Sequence, residues 1–255
     1  MGNVQMRTAI VTGVGMGIGG IGRGIADALA RDGVSLMLSD VDARVAEAAD
    51  LVRKAHPQVR VESFVGDLST KAGAAALVAR TLEVYGQADI LVNNAGSGII
   101  KPFLEHDEES LTITLARNLW TAIWCTHQAL PGMVQRNHGR IINIGADSLR
   151  TGIPMHAGYN AAKGGVVGMM VGLAKEFAKY DITVNTVSPC VVNTERHRAS
   201  LTNDPARAEA FLRVVPKGRG AEISEIADTV CFLARAENRF ITGQEISVNG
   251  GSAMP

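Results

Sequence analysis

The chain has 255 residues, 46% of them hydrophobic, with 25 basic and 25 acidic side chains and a net charge of zero. That composition supports a sizeable core and excludes a disordered chain, and the neutral balance offers no long-range field to nucleic acid or an anionic membrane. Cys125, Cys190 and Cys231 lie far apart with no metal-ligand spacing, so reduced thiols and no bound metal are expected. The opening MGNVQMRTAIVTG has no basic lead followed by a long apolar run. Neither a signal peptide nor a transmembrane span is expected, and the cytoplasm is the expected location.

Thr8–Thr12 is a short apolar run of the kind that forms a buried strand. It feeds TGVGMGIGGIGRGIADALA, residues 12–30, a glycine-rich turn and then an amphipathic helix. Strand, glycine turn and helix place a pyrophosphate on unpaired N–H groups at a helix N-terminus, where no Cβ obstructs its approach. The glycine motif occurs twice, as Gly17-Ile18-Gly19 and Gly20-Ile21-Gly22. Counting back from Ile25, Ala26, Leu29 and Ala30 selects Gly20 and Gly22 as the helix start. Counting forward from Gly13 selects Gly17 and Gly19. The difference reads as a three-residue insertion: Gly13 closes the strand, and Val14–Gly19 form a rim that either wraps the pyrophosphate or bulges into solvent. Gly13, Gly19, Gly20, Ile21 and Gly22 are the candidate phosphate-binding positions.

The next strand, Val34–Ser39, ends at Asp40, where a carboxylate can accept both ribose hydroxyls and repel a 2′-phosphate. No arginine directly follows it, so NAD is expected rather than NADP. A helix over Val41–Ala55 leads to the strand Val61–Val65, and a helix over Ala72–Tyr85 to the strand Asp89–Asn93. A long helix over Leu111–Met133 precedes the strand Arg140–Ile144, and a second over Tyr159–Tyr180 precedes Ile182–Val187. The strand Glu245–Val248 closes the series. Near-continuous apolar strands alternating with helices predict one α/β domain over residues 1–255, a doubly wound parallel sheet of seven strands in a Rossmann arrangement. Asn193–Gly220 breaks this rhythm. It is polar, holds Arg196, His197, Arg198, Arg207 and Arg213, and reads as a substrate lid over 193–220. Its basic residues suit either a carboxylate or CoA phosphate, or a solvated surface.

Tyr159 and Lys163 in YNAAK are four residues apart and share a helical face. An adjacent ammonium favours phenolate, so the Tyr159 pKa is expected to fall below 10 by roughly 1–3 pH units. Such a phenolate can take the proton of a substrate hydroxyl while hydride leaves the same carbon.

TGxxxGxG at the front, ADILVNNAG at 88–96, YNAAK at 159–163, ITVNTVSPCVVNT at 182–194 and FITGQEISVNGG near the end together resemble the short-chain dehydrogenase/reductase family. The resemblance covers essentially the whole chain. NNAGSGIIKPF and LPGMVQRNHGRIINI are most similar to members that oxidise ring secondary alcohols. The resemblance implies that Asn118 holds a proton relay behind Lys163 and that Asn94, Ala95 and Gly96 line the cofactor. It further implies that Asp67 and Leu68 flank the adenine, and that Pro189, Val192 and Thr194 form the turn over the nicotinamide. Cys190 stands where the family usually has glycine.

The family places a serine thirteen residues before the tyrosine, and here that position is Ala146. Three readings remain open: a serine-to-alanine variant of an otherwise intact site, a hydroxyl supplied by Ser148, or a slow or non-catalytic protein. Ser97, Ile99, Asp147, Ser148, Leu149, Arg150, His156, Cys190 and Val191 are candidates for the substrate wall, with Arg150 suited to a carboxylate. The expected function is NAD-dependent interconversion of a cyclic secondary alcohol, dihydrodiol or hydroxyacid derivative and its ketone. The alternatives are a 3-oxoacyl-thioester reductase, which Asp40 disfavours, and a non-catalytic NAD-binding protein. The small-molecule alcohol or ketone is the expected partner. A homotetramer is implied by resemblance, on the long helices carrying Ile113, Leu115, Leu119, Trp120, Ile123 and Trp124, and Val166, Val167, Met169, Met170 and Val171.

Overall fold

Seven parallel strands form one sheet in the order β3-β2-β1-β4-β5-β6-β7. They are β1 (Thr8–Thr12), β2 (Ser35–Asp40), β3 (Val61–Val65), β4 (Ile90–Asn93), β5 (Gly139–Ile144), β6 (Ile182–Pro189) and β7 (Glu245–Val248). The computed structural model describes residues 7–15, 20–195, 197–199 and 212–254. Every strand of β1, β2, β4, β5 and β6 is buried along its length, which is why these segments are apolar runs without alternation. The sheet is the α/β, doubly wound Rossmann arrangement that the pattern predicts.

Helices cover both faces. On one, α1 (Ile21–Arg31), α2 (Val45–Ala55) and the helix Ile223–Ala234, here α8, pack Ile25, Leu29, Val52, Ile226 and Val230 against Ala9, Val11, Leu36 and Leu38. On the other, α3 (Lys71–Tyr85), α5 (Thr121–Arg136) and α7 (Ala157–Glu176) pack Leu77, Met133 and Met170 against Ile10, Met37, Leu91 and Ile141. Successive strand residues therefore feed opposite cores, as the two-residue period requires. α4 (Glu108–Leu115) and the short turn α6 (Ser148–Thr151) precede α5 and α7.

Local chemistry sets the helix ends. Thr70 caps α3 by accepting from Gly73 N at 3.1 Å, and Gly86 ends it at φ 76°. Asp107 caps α4 through a reciprocal box with Ser110. The single helix expected over Leu111–Met133 is instead α4 and α5 joined by a π-helical turn, Ala116–Trp120. That extra residue per turn directs Asn118 inward, where it is buried. The helix expected from Val41 starts only at Val45, because Asp40 and Asp42 hold the intervening backbone in turns: Asp42 N donates to Asp40 Oδ1 at 3.0 Å and Arg44 N to Asp42 Oδ1 at 2.9 Å. Among the described residues, no helix is long and apolar enough to cross a membrane. None of them form a His, Cys, Asp or Glu group able to hold a metal.

Candidate active site

The strand order reverses direction between β1 and β4, and ligands of open α/β sheets sit at the carboxyl ends of strands flanking such a point. A cleft of about 840 Å³ lies there, running from Asp40 and Asp67 at one end to Tyr159 and His156 at the other.

The nucleotide end is built from backbone proximity. Asn94 Nδ2 donates to Thr12 O and Gly13 O, each at 2.9 Å, and Thr12 Oγ1 accepts from Asn94 N and Ala95 N at 3.1 and 3.0 Å. These bonds clamp the end of β1 to the end of β4. A Cβ on Gly22 would lie 2.5 Å from Gly13 O, so α1 approaches β1 only through glycine. The α1 N-cap is Gly20, which carries no side-chain cap, so the first-turn N–H groups remain open to an anion. The doubled glycine motif is thus resolved at its helix end: Gly20 and Gly22 begin α1. Gly19 and most of the proposed rim lie outside the described residues. Asp40 ends β2 at the cleft wall, its carboxylate accepting from Gly15 N at 2.8 Å. Arg44 also reaches this wall, but Asp42 engages its guanidinium, Nε to Oδ2 at 2.9 Å. Asp67 and Leu68 line the same end, with Ser69 N donating to Asp67 Oδ1 at 2.9 Å.

The chemical end gathers residues from three elements. Tyr159 and Lys163 both face the cleft from α7, with Lys163 Nζ 5.8 Å from the centre of the Tyr159 ring. Lys163 Nζ donates to Ile144 O at 2.7 Å, which anchors it under the end of β5. Gly96 is the hub. A Cβ there would sit 2.3 Å from Asn118 Oδ1 and 3.5 Å from Lys163 Nζ. Asn118 Nδ2 donates to Ser97 O at 3.1 Å and Thr114 O at 2.8 Å, while its buried Oδ1 has no protein partner. An acceptor is therefore held beside Lys163 for a proton-bearing group.

The expected depression of the tyrosine pKa is not what the protein's own groups produce. Burial pushes the Tyr159 phenol up to about 12. Burial likewise brings the Lys163 ammonium down to about 8. Loss of hydration penalises both charged forms and outweighs their mutual attraction. Tyr159 is thus a phenol at neutral pH, and Lys163 is the member of the pair that titrates nearest to it.

The substrate wall differs in part from the sequence-based expectation. Ser97, Ala146, Ser148, His156, Cys190 and Val191 line the cleft, as do Pro189 at the end of β6 and Val192 and Thr194 on the loop after it. Arg150 does not. It is engaged by Ser247 Oγ and by Glu245 Oε2 at 3.0 Å, so it braces β7 and is not placed to meet a substrate carboxylate. Asp147 is fully buried and accepts from Asn249 Nδ2 at 3.0 Å and Ser252 Oγ at 2.7 Å, tying the β5 end to the C-terminal turn. Ile99 and Leu149 are not on the cleft wall either. Of the proposed lid, Arg196 and Arg207 lie outside the described residues, Arg198 pairs with Glu222 at 3.3 Å, and His197 lines the cleft. Arg117 and Thr121 also line it, one residue before Asn118 and three after it. The i,i+4 spacing of those two was the available signal.

Comparison with known proteins agrees with this geometry. A family model described as enoyl-(acyl carrier protein) reductase matches residues 17–253. The chain is 48% identical to 2,3-dihydroxy-2,3-dihydro-p-cumate dehydrogenase of Pseudomonas putida, covering 98% of this chain and 96% of that one. It is 36% identical to acetoacetyl-CoA reductase of Allochromatium vinosum, over 97% and 99%. The crystal structure of levodione reductase superposes with a TM-score of 0.90 at 30% identity, over 98% of each chain. The chain belongs to the short-chain dehydrogenase/reductase family. It is an oxidoreductase of CH–OH groups that works with a nicotinamide dinucleotide.

Proposed function

We propose that this protein oxidises a ring secondary alcohol to its ketone, with NAD as the partner dinucleotide and Tyr159 as the acid/base. The observation that carries this reading is one cleft with Asp40 at one end and, at the other, Lys163 and Asn118 gathered around Gly96 with Tyr159 against Gly98. The glycine-built α1 start and the clamp through Asn94 fit a pyrophosphate. The Asp40 carboxylate favours free ribose hydroxyls, and Arg44, the nearby cation, is already neutralised by Asp42. Bound NAD supplies the acceptor for the hydride that leaves the carbinol carbon.

The chain's own residues handle the proton. Tyr159 must first give up its own proton, and Lys163, which titrates at about 8, is the neighbour placed to pass it on. The phenolate Oη then takes the hydroxyl proton as the C–H electron pair departs, and the C–O bond becomes a carbonyl. The Lys163 ammonium stabilises the phenolate that this exchange requires. Asn118 Oδ1 supplies an acceptor beside Lys163. At Ala146 a methyl group stands where a donor to the reacting oxygen would be, so turnover on a simple alcohol is slower than with a serine there. The p-cumate diol dehydrogenase at 48% identity favours a ring alcohol over a thioester.

The proposal extends to a homotetramer. Trp120 is 44% exposed and stacked on Trp124 at 5.6 Å, and Val171 on α7 is 56% exposed. A stripe of this kind suits helix packing between subunits. The test of function is NADH formation from a panel of ring secondary alcohols, with NADPH-linked reduction of acetoacetyl-CoA as the contrast. Oxidation of ring alcohols with NAD supports the assignment. Reduction of the thioester with NADPH alone overturns it.

A further inference from the structure

The β5–α7 connection carries Ser148 and His156 on the cleft wall beside Tyr159. Hydrogen-bond partners fix which way each one is polarised. Ser148 Oγ lies 2.6 Å from Asn160 Oδ1, and Asn160 Nδ2 donates back to Ser148 O at 3.0 Å. The second bond sets the orientation of the amide, because an amide oxygen cannot face a carbonyl oxygen. Asn160 Oδ1 therefore accepts, and the only proton of Ser148 is committed to it. What Ser148 offers the cleft is a lone pair.

His156 has the same character. Its Nδ1 is 2.8 Å from Pro154 O, a group that only accepts, so the ring proton sits on Nδ1. Nε2 of the neutral ring is then an acceptor. The ring meets Tyr159 edge-on with centroids 6.2 Å apart, which places it against the reacting group. Ala146, also on this wall, adds no donor. Of the side chains that the β5–α7 connection places on the cleft, Ser148 and His156 thus present acceptors and none presents a donor.

We infer that Ser148 and His156 form a subsite for a second hydroxyl of the substrate, adjacent to the carbinol being oxidised, so that the preferred substrate is a vicinal diol. The inference rests on the ring-alcohol reading above and narrows it. A second hydroxyl brings the proton both acceptors need. A thioester or carboxylate brings only further acceptors and leaves both unpaired, and a site left unpaired in this way rejects the mismatched ligand strongly. Asn160 acts as a positioning residue, holding the Ser148 proton away from the cleft.

The experiment compares cis-1,2-cyclohexanediol with cyclohexanol at pH 8, as the ratio of kcat/KM measured by NADH formation. Its companion is the Kd of the diol for Tyr159→Phe protein saturated with NAD, by calorimetry, which needs no turnover. Ser148→Ala and His156→Phe should each lower the diol-over-monoalcohol ratio by roughly 10- to 100-fold, the effect of one lost partner, and weaken diol Kd in the Tyr159→Phe background by a similar factor. Asn160→Ala, which frees the Ser148 proton without removing its oxygen, should also lower the ratio. A ratio unchanged by Ser148→Ala and His156→Phe overturns the subsite while leaving the ring-alcohol oxidation standing. A wild-type protein that oxidises neither alcohol, yet binds the diol through Ser148, overturns the catalytic reading and retains the subsite. No oxidation and no diol binding overturns both.

Discussion

Substituting Gly22 by alanine tests how the nucleotide end is built. The new Cβ would lie 2.5 Å from Gly13 O and 2.6 Å from Asn94 Nδ2, against an ordinary contact of 3.4 Å or more. Either α1 or the β4 end must therefore yield by nearly ~1 Å, and neither neighbour is the loose tip of a flexible side chain. If Asn94 yields, its two 2.9 Å bonds to Thr12 O and Gly13 O are lost. Two such bonds contribute about 1 kcal/mol each, and stranding the buried carbonyls costs more, so the total is about 2–4 kcal/mol. For a domain of this size that corresponds to a Tm lower by roughly 5–15 °C. If instead α1 shifts outward, its first-turn N–H groups leave the phosphate position and the same energy appears as a ~30- to 1,000-fold weaker NADH Kd. Differential scanning fluorimetry and NADH fluorescence titration read the two outcomes. A variant with Tm and Kd both equal to the parent refutes the clamp as the organising contact.

The other expectations concern the chemistry and the surface. Asp40→Ala should bring NAD and NADP affinities within about 3-fold of each other, whereas the parent should bind NAD at least ~10-fold more tightly; equal affinities in the parent contradict the role given to Asp40. Tyr159→Phe should abolish most turnover with NADH Kd little changed, and Ala146→Ser should raise kcat on a simple ring alcohol by about 10²–10³. A folded pKa of about 8 for Lys163 lies below its ordinary 10.5. The folded state therefore holds fewer protons than the unfolded state between those values, and this group's contribution to stability rises with pH there and is least below pH 8. Lys163→Met should be more stable than the parent at pH 7, and the gap should narrow by about 2 kcal/mol between pH 8 and 9.5 in urea melts. Gly168 on α7 has open space around it, so Gly168→Ala should stabilise an isolated subunit by about 1 kcal/mol. Light scattering that shows the same variant dissociating a tetramer places that face in the interface.

Much of the architecture was legible in the chain because the responsible interactions are local or periodic. Buried parallel strands read as continuous apolar runs, so β1, β4, β5 and β6 were found within a residue or two of their ends. Tyr159 and Lys163 needed only helical periodicity to be placed on one face, and Asp40 only its position after β2. The helix Ile223–Ala234 was not among the expected elements, since it follows the polar stretch whose reading as a lid dominated that region.

The remainder depended on contacts between residues far apart in sequence. Arg150 and the residue it meets, Glu245, are 95 positions apart, and nothing local to Arg150 reveals that its charge is already matched. The π turn that carries Asn118 packs against α7 and sets Asn118 beside Gly96, contacts that no local pattern reports. The direction of the Tyr159 pKa shift was misjudged from sequence because spacing reports the attraction between the two groups but not their burial. The acceptor character of Ser148 and His156 rests on Asn160 and on the carbonyl of Pro154. The sequence by itself determined the fold class, the glycine turn at the head of α1 and the placing of Tyr159 and Lys163 on one helical face, since helix period, strand period and glycine sterics are properties of neighbouring residues. Only the tertiary structure decided which polar groups reach the cleft with a proton or a lone pair to spare, because a hydrogen bond's direction is set by the partner folding brings to it.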